Sequence, residues 1–297
     1  MAKHLKKKRK NLLLYVATMV AGCLAIILFT YQKVQSPVIK AGQAVEKKYS
    51  AMPVPTLYIH GWHGNERSTD QLIESAEDEK GAKKVLKVKV SPQGATTYSG
   101  KWNSDVKHPL IQVVFENNEA EIPDEAGWLK TITEELRRRY GISRINIVSH
   151  SMGGPVTLFW ALNLRDKNSP RLQKFVPIAG PFDGVIFTDD VPNQNRIKEN
   201  GEPVWQNAAY QSYYEKRDDF PKGVSVLNIY GNLEDGTNSD YLVTNASARS
   251  LRWLIKDRVK YYDEKMIKGP MAQHSKLHEN KQVDRLVNNC LLYTSDA

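Results

Sequence analysis

Near the middle of the chain an apolar run, RINIV from Arg144, ends in Ser149-His150-Ser151-Met152-Gly153-Gly154 and passes at once into a second apolar run, PVTLFWAL. A strand that stops at a sharp turn and resumes as a helix pushes the turn's side chain out above the sheet. A hydroxyl held there is a nucleophile in need of a base. Close approach of strand and helix asks for small residues two before and two after the nucleophile. Gly153 meets that demand, and Ser149 stands where glycine is usual. An alcohol is a weak nucleophile at its own pKa. Ser151 therefore needs a neutral imidazole to take its proton and a carboxylate to fix the tautomer of that imidazole.

With this kind of turn the chain order is serine, acid, histidine. Two acids and two imidazoles compete downstream, in NLEDGTNSDYLV (232 to 243) and QHSKLHEN (273 to 280). Asp240 precedes an apolar Leu-Val pair and a helix, which would hold it rigidly, whereas Asp235 precedes Gly236 and reads as a turn former. His274 falls seven residues after Ile267 and nine before Val283, while His278 adjoins the helix start at Asn280. The preferred set is Ser151, Asp240 and His274, with His278 as a neighbour or cap. An acyl transfer also needs two backbone N–H groups aimed at the developing oxyanion. These are expected from Met152, directly after the nucleophile, and from Trp62 in His60-Gly61-Trp62-His63-Gly64. His60 and His63 could be metal ligands, but no Asp or Glu falls at a spacing that completes a zinc site, so neither metal nor cofactor is expected.

The elements that must position these residues are legible as β-branched runs alternating with helical patterns, the mark of a parallel sheet covered by helices. Strands are predicted at 56–61, 85–90, 110–116, 144–149, 175–180, 224–231 and 259–267, and helices at 67–78, 126–140, 152–164 and 246–255. Several strands are almost continuously apolar, as burial on both faces requires. The stretch 182–222, rich in Asn, Asp and Tyr, breaks the rhythm and reads as a cap over the site. Trp62, Trp102, Phe182, Trp205, Tyr210, Tyr213 and Tyr214 are candidates to line an apolar acyl pocket beneath it. The expected architecture is α/β, a doubly wound and mostly parallel sheet with a cap insertion, preceded by an N-terminal membrane helix.

Of 297 residues, 41% are apolar and 25% charged, enough to bury a sizeable core, and two cysteines cannot build a disulfide framework. The net charge is +9, but six basic residues (Lys3, Lys6, Lys7, Lys8, Arg9, Lys10) crowd the first ten positions, so a nucleic-acid partner is not expected. After this basic tail (1–10), residues 11–32 carry no charge. Leu12 to Thr30 would span roughly 28 Å as a helix, close to the roughly 30 Å of a bilayer core. With the basic block held inside, the rest of the chain is expected outside the cytoplasm, anchored by a retained helix or released by cleavage. Val20-Ala21-Gly22-Cys23 also resembles a lipobox, although LAIILF follows it where a polar tether is usual. Residues 33–53 read as a linker and 54–289 as the folded domain. The final CLLYTSDA, 290–297, resembles a translated sequencing adapter, so native residues are expected to end near Asn289 and Cys290 carries no functional argument.

Taken in order, HGWHG, SHSMGG, NSDYLV and HSKLHEN resemble the α/β-hydrolase superfamily. They are most similar to a family of uncharacterised cell-surface hydrolases from Gram-positive bacteria. The resemblance covers roughly residues 50–289. It implies an esterase-like or lipase-like serine hydrolase acting on a small-molecule or lipid-like ester through an acyl-enzyme. Minimal bacterial lipases have a similar acid followed by apolar residues and a similar histidine nine residues before a valine. Those patterns fall on Asp240 and on His274 with Val283. Ser149 is the departure from the family's glycine.

Overall fold

The computed structural model describes residues 52–293. Eight strands form one sheet: β1 (Thr56–Ile59), β2 (Ala82–Val90), β3 (Thr96–Gly100), β4 (His108–Phe115), β5 (Arg144–His150), β6 (Arg171–Ile178), β7 (Ser225–Asn232) and β8 (Tyr261–Lys268). Their order across the sheet is β3-β2-β4-β1-β5-β6-β7-β8, with every pairing parallel except β2 with β3. The chain lays strands on one side of β1 up to β4, then crosses to β5 and builds the other side. The reversal falls between β1 and β5, and the crevice beyond the carboxyl ends of those two strands is where such a sheet offers a site.

The near-continuous apolarity of the central strands follows from burial on both faces. Leu57, Ile59, Ile145, Ile147 and Phe175 point into one core, and Tyr58, Val148, Val176 and Ile178 into the other. Helices α1 (Arg67–Glu77) and α7 (Lys281–Asn288) cover the second face. Helices α2 (Ile122–Tyr140) and α3 (Gly153–Phe159) cover the first. Pro123 opens α2, three arginines occupy its last turn, and Gly141 closes it with φ 71°, a conformation that only glycine adopts without strain.

The predicted helix over 152–164 is α3 followed by a wider π turn, Trp160–Leu164, and the one predicted over 246–255 is two short helices, α5 (Asn245–Arg249) and α6 (Leu251–Ile255). Two elements escaped the pattern: the edge strand β3 and helix α4 (Ala208–Glu215). Much of 182–222 is stitched into the body of the fold. The buried Asp183 carboxylate accepts from the backbone N–H of Asn207 (2.9 Å) and from Asn195 Nδ2 (3.0 Å). Tyr210 and Tyr213 of α4 lie in the first core with Phe182 and Phe220. Phe182, Tyr210 and Tyr213 are therefore packing residues of that core. Trp102 and Tyr214 are partly buried against the same core, and Trp62 and Trp205 are exposed.

No helix among the described residues is long and apolar enough to cross a membrane. The span expected at Leu12 to Thr30 lies outside them.

Candidate active site

The backbone at Ser151 carries the geometry of the turn. Its φ is 53°, a left-handed value that L residues seldom adopt. The strain is held from three sides. The Ser151 N–H donates to Ile178 O at the end of β6 (2.9 Å). A Cβ on Gly61 would lie 2.6 Å from Ser151 Cβ, and one on Gly153 would lie 2.7 Å from His60 O. Only glycine lets β1's outgoing loop and the start of α3 approach so closely. Ser149 is fully buried and its hydroxyl finds no partner among the described residues. A small side chain fits the tight approach, and the cost is one unpaired hydroxyl.

His274 and Asp240 reach Ser151 from loops beyond the carboxyl ends of β8 and β7. His274 Nε2 is 2.8 Å from Ser151 Oγ, and His274 Nδ1 is 2.9 Å from Asp240 Oδ2. The other carboxylate oxygen, Oδ1, accepts from the backbone N–H groups of Leu242 (3.0 Å) and Val243 (2.7 Å). The backbone joins the pair as well, His274 N–H donating to Asp240 O (2.9 Å). Asp240 and His274 are almost wholly buried, so the contacts form away from bulk water. A carboxylate can only accept, so Nδ1 carries the imidazole proton and Nε2 is left to accept from the serine.

The competing residues stand elsewhere. Asp235 is exposed and accepts from Thr237 within its own turn. His278 makes no contact with the serine. Its ring packs edge-on against His150 (centroids 4.7 Å), and His150 in turn lies against His274 (4.9 Å). His150 was missed in the sequence, although a lone histidine closing an apolar strand directly before Ser151 is a visible signal. Its Nε2 is 3.0 Å from His274 O. Since a carbonyl only accepts, that nitrogen bears the proton and braces the main chain of His274. Burial, then the neighbouring His274 and His278, push its pKa well below the ordinary value, so it is neutral.

Of the two expected oxyanion donors, Met152 follows the serine directly and Trp62 follows Gly61, whose backbone approaches the serine closely. Neither Trp62 N–H nor Met152 N–H has an acceptor among the described residues. The close approach at Gly61 brings its virtual Cβ within 3.2 Å of Met152 N. His60 is spent on the fold: its Nε2 accepts from Phe115 N–H (2.9 Å) and its Nδ1 is 2.8 Å from Gly61 O, which fixes the loop. His63 pairs with Glu119 (3.1 Å) on the surface. Among the described residues, no group of three or more His, Cys, Asp or Glu side chains converges as metal ligands.

A protein of known structure from Listeria innocua is 26% identical, with a TM-score of 0.73 over 82% of this chain and 96% of its own. A candidate cell-surface hydrolase from Lactobacillus plantarum is 24% identical, with a TM-score of 0.67 over 83% of this chain and 94% of its own, a likeness of fold. No curated protein matches. The family model described as alpha/beta hydrolase of unknown function (DUF915) matches residues 43–294, which takes in every described residue, and the chain belongs to that family.

Proposed function

We propose that this α/β hydrolase is a serine esterase working outside the cytoplasm through an acyl-enzyme. The observation that carries the reading is the continuous chain of contacts from Ser151 Oγ to His274 and on to Asp240. Ser151 Oγ attacks the ester carbonyl while His274 Nε2 takes its proton. Asp240 holds the imidazolium that forms, and the N–H groups of Trp62 and Met152 receive the oxyanion. Collapse of the tetrahedral species expels the alcohol, which leaves with the proton returned by His274. Water, activated by the same imidazole, then releases the acid.

An extracytoplasmic site of action rests on the basic block before the apolar run Leu12 to Thr30. The description of the Lactobacillus plantarum protein as a candidate cell-surface hydrolase agrees with it. The test is labelling by a fluorophosphonate together with turnover of a panel of p-nitrophenyl esters, thioesters and amides. Labelling and ester hydrolysis are expected in the wild-type chain. Ser151→Ala should abolish labelling and lower kcat by roughly 10⁴-fold or more. Unchanged ester turnover by Ser151→Ala would overturn the reading, and an unlabelled wild-type chain would leave a binding module on a hydrolase scaffold.

A further inference from the structure

The charges of the described fold are sorted along the strand direction. Segments 78–83, 101–108, 137–144, 165–171, 216–225 and 256–261 bring the chain into the amino-terminal ends of β2, β4, β5, β6, β7 and β8. Together they carry seventeen Lys and Arg against seven Asp and Glu. Segments 60–66, 116–121, 179–195, 233–244 and 269–280 lead away from the opposite ends of the strands and include Asp240 and His274. They carry eleven Asp and Glu against one lysine, so one end of the sheet is basic and the end that holds the site is acidic. Four of these acids are paired, Glu66 with Lys87, Glu119 with His63, Glu234 with Lys268 and Asp240 with His274, and the excess persists without them.

Helix ends explain part of the basic face, since Arg137, Arg138 and Arg139 sit in the last turn of α2, where a cation meets the negative end of the helix dipole. They do not explain the rest. Lys107, Lys167, Arg171 and Lys222 lie in no helix, are exposed, and make no ion pair among the described residues. The cations form a row across the sheet. Arg144 and Arg171 are register partners on β5 and β6. A Cβ on Gly223, next to Lys222, would lie 3.1 Å from Arg171 Nη2, and the Gly223 N–H donates to Arg258 O (3.1 Å). At the other end of the row, Lys107 and Lys174 both bear on His108 and, after burial, lower its pKa. Like charges so placed repel one another, a cost that an anionic surface would offset.

The chain enters the described fold at this same end. Arg144 Nη2 donates to Met52 O (3.1 Å), and the Asn146 N–H donates to Pro55 O (2.9 Å). Upstream lies the apolar run Leu12 to Thr30, which the sequence marks as a membrane span. Fully extended, the chain from Thr30 to Met52 covers at most about 75 Å, which keeps the fold within that distance of a bilayer holding the run. Ser151 lies past the opposite end of β5, a strand of seven residues that spans roughly 23 Å. Contact through the basic end therefore leaves the serine facing away from the lipid.

We infer that the amino-terminal end of the sheet is a docking surface for a bilayer containing anionic phospholipids, which holds the acidic, serine-bearing end outward. The inference rests on the membrane span and goes beyond the esterase reading, and its test uses no turnover. The full chain is reconstituted in nanodiscs of phosphatidylcholine alone and in nanodiscs of phosphatidylcholine mixed equally with phosphatidylglycerol. Exposed lysines are acetylated with acetic anhydride, and the rate at each is read by mass spectrometry. Lys107, Lys167 and Lys222 should react about fivefold or more slowly in the anionic discs. Lys268 and Lys276, at the site end, should react equally in both. Raised salt should erase the protection, and Lys167→Glu combined with Lys222→Glu should lower it at Lys107. Equal rates at Lys107, Lys167 and Lys222 in the two discs, slowing shared by Lys268 and Lys276, or a chain that joins neither disc would each overturn the proposal. Protection by soluble dextran sulfate without protection by anionic discs would overturn it in favour of a polyanionic polymer.

Discussion

At the scale of single residues, the choice between two histidines four positions apart turns on one turn of backbone. Gln273 caps the short 3₁₀ segment His274–Glu279 by accepting from Ser275 and Lys276 N–H, which turns His274 inward to Ser151. His278 emerges on the same side but stops at His150, and its Nδ1 is buried without a partner among the described residues. It is linked to His274 through a relay: His278 packs against His150, and His150 donates to the carbonyl of His274. His274→Ala should therefore approach the loss of Ser151→Ala, roughly 10⁴-fold in kcat, whereas His278→Ala should cost within about tenfold by loosening that brace. Ester hydrolysis measured on both variants decides it, and equal losses would refute the assignment.

At the scale of elements, the strands that hold the site were legible because burial on both faces leaves a nearly continuous apolar run, as in TLYI and INIV, where Thr56 and Asn146 are the polar exceptions. Ser151 was legible for a related reason, since it stands directly after such a run, whereas Asp240 and His274 lie in loops several residues beyond β7 and β8 and were read from the chain order and their apolar neighbours. β3 was not legible, because Thr96–Gly100 pairs only with β2 at the edge and half faces water, so its sequence TTYSG carries no apolar period. Helix α4 hid behind polar letters, although Asn207 accepting from Tyr210 N–H is a cap signal, and Tyr210 and Tyr213 mark a buried stripe. A third misfit was invisible in the sequence. Glu125, in the first turn of α2, is fully buried on the face shared with Leu129, Ile132 and Leu136, and neither carboxyl oxygen has a partner among the described residues. Burial pushes its pKa up to about 8, so at neutral pH folding must protonate it. Glu125→Met keeps the volume and removes that proton. We expect it to stabilise the fold at pH 7 by on the order of 3 kcal/mol, raising Tm by several degrees, with a smaller gain at pH 5. Thermal unfolding of the variant at both pH values checks this, and a loss of stability at pH 7 would assign the carboxyl an unseen partner.

At the scale of the whole molecule, buried imidazoles and buried acids pull stability in opposite directions with pH. Burial lowers the pKa of His60, His150 and His278, so the unfolded chain protonates first as pH falls below about 6.5. Their contribution is therefore complete above that pH and drains away toward their folded pKa values. Glu125 behaves in the reverse sense: between its ordinary value and about 8 the unfolded chain is ionised while the folded one is not, so stability falls as pH rises through that window. Asp183, raised by burial to about 6, adds the same sign over a lower window. From pH 8 down to about 6.5 only Glu125 of these groups changes, and stability should climb by about 1.4 kcal/mol per unit. Below about 6 the imidazoles, His108 with them, outweigh Glu125 and Asp183 and the slope reverses, while Asp190 and Asp284, also raised by burial, oppose them. Stability should thus peak near pH 6 to 6.5 and fall on both sides. Urea unfolding from pH 5 to 8.5 tests it, with an unchanged m-value showing that the same transition is followed. Glu125→Met should flatten the alkaline limb and leave the acid limb standing. A wild-type curve that rises steadily from pH 6.5 to 8.5 would mean that Glu125 is ionised in the folded protein.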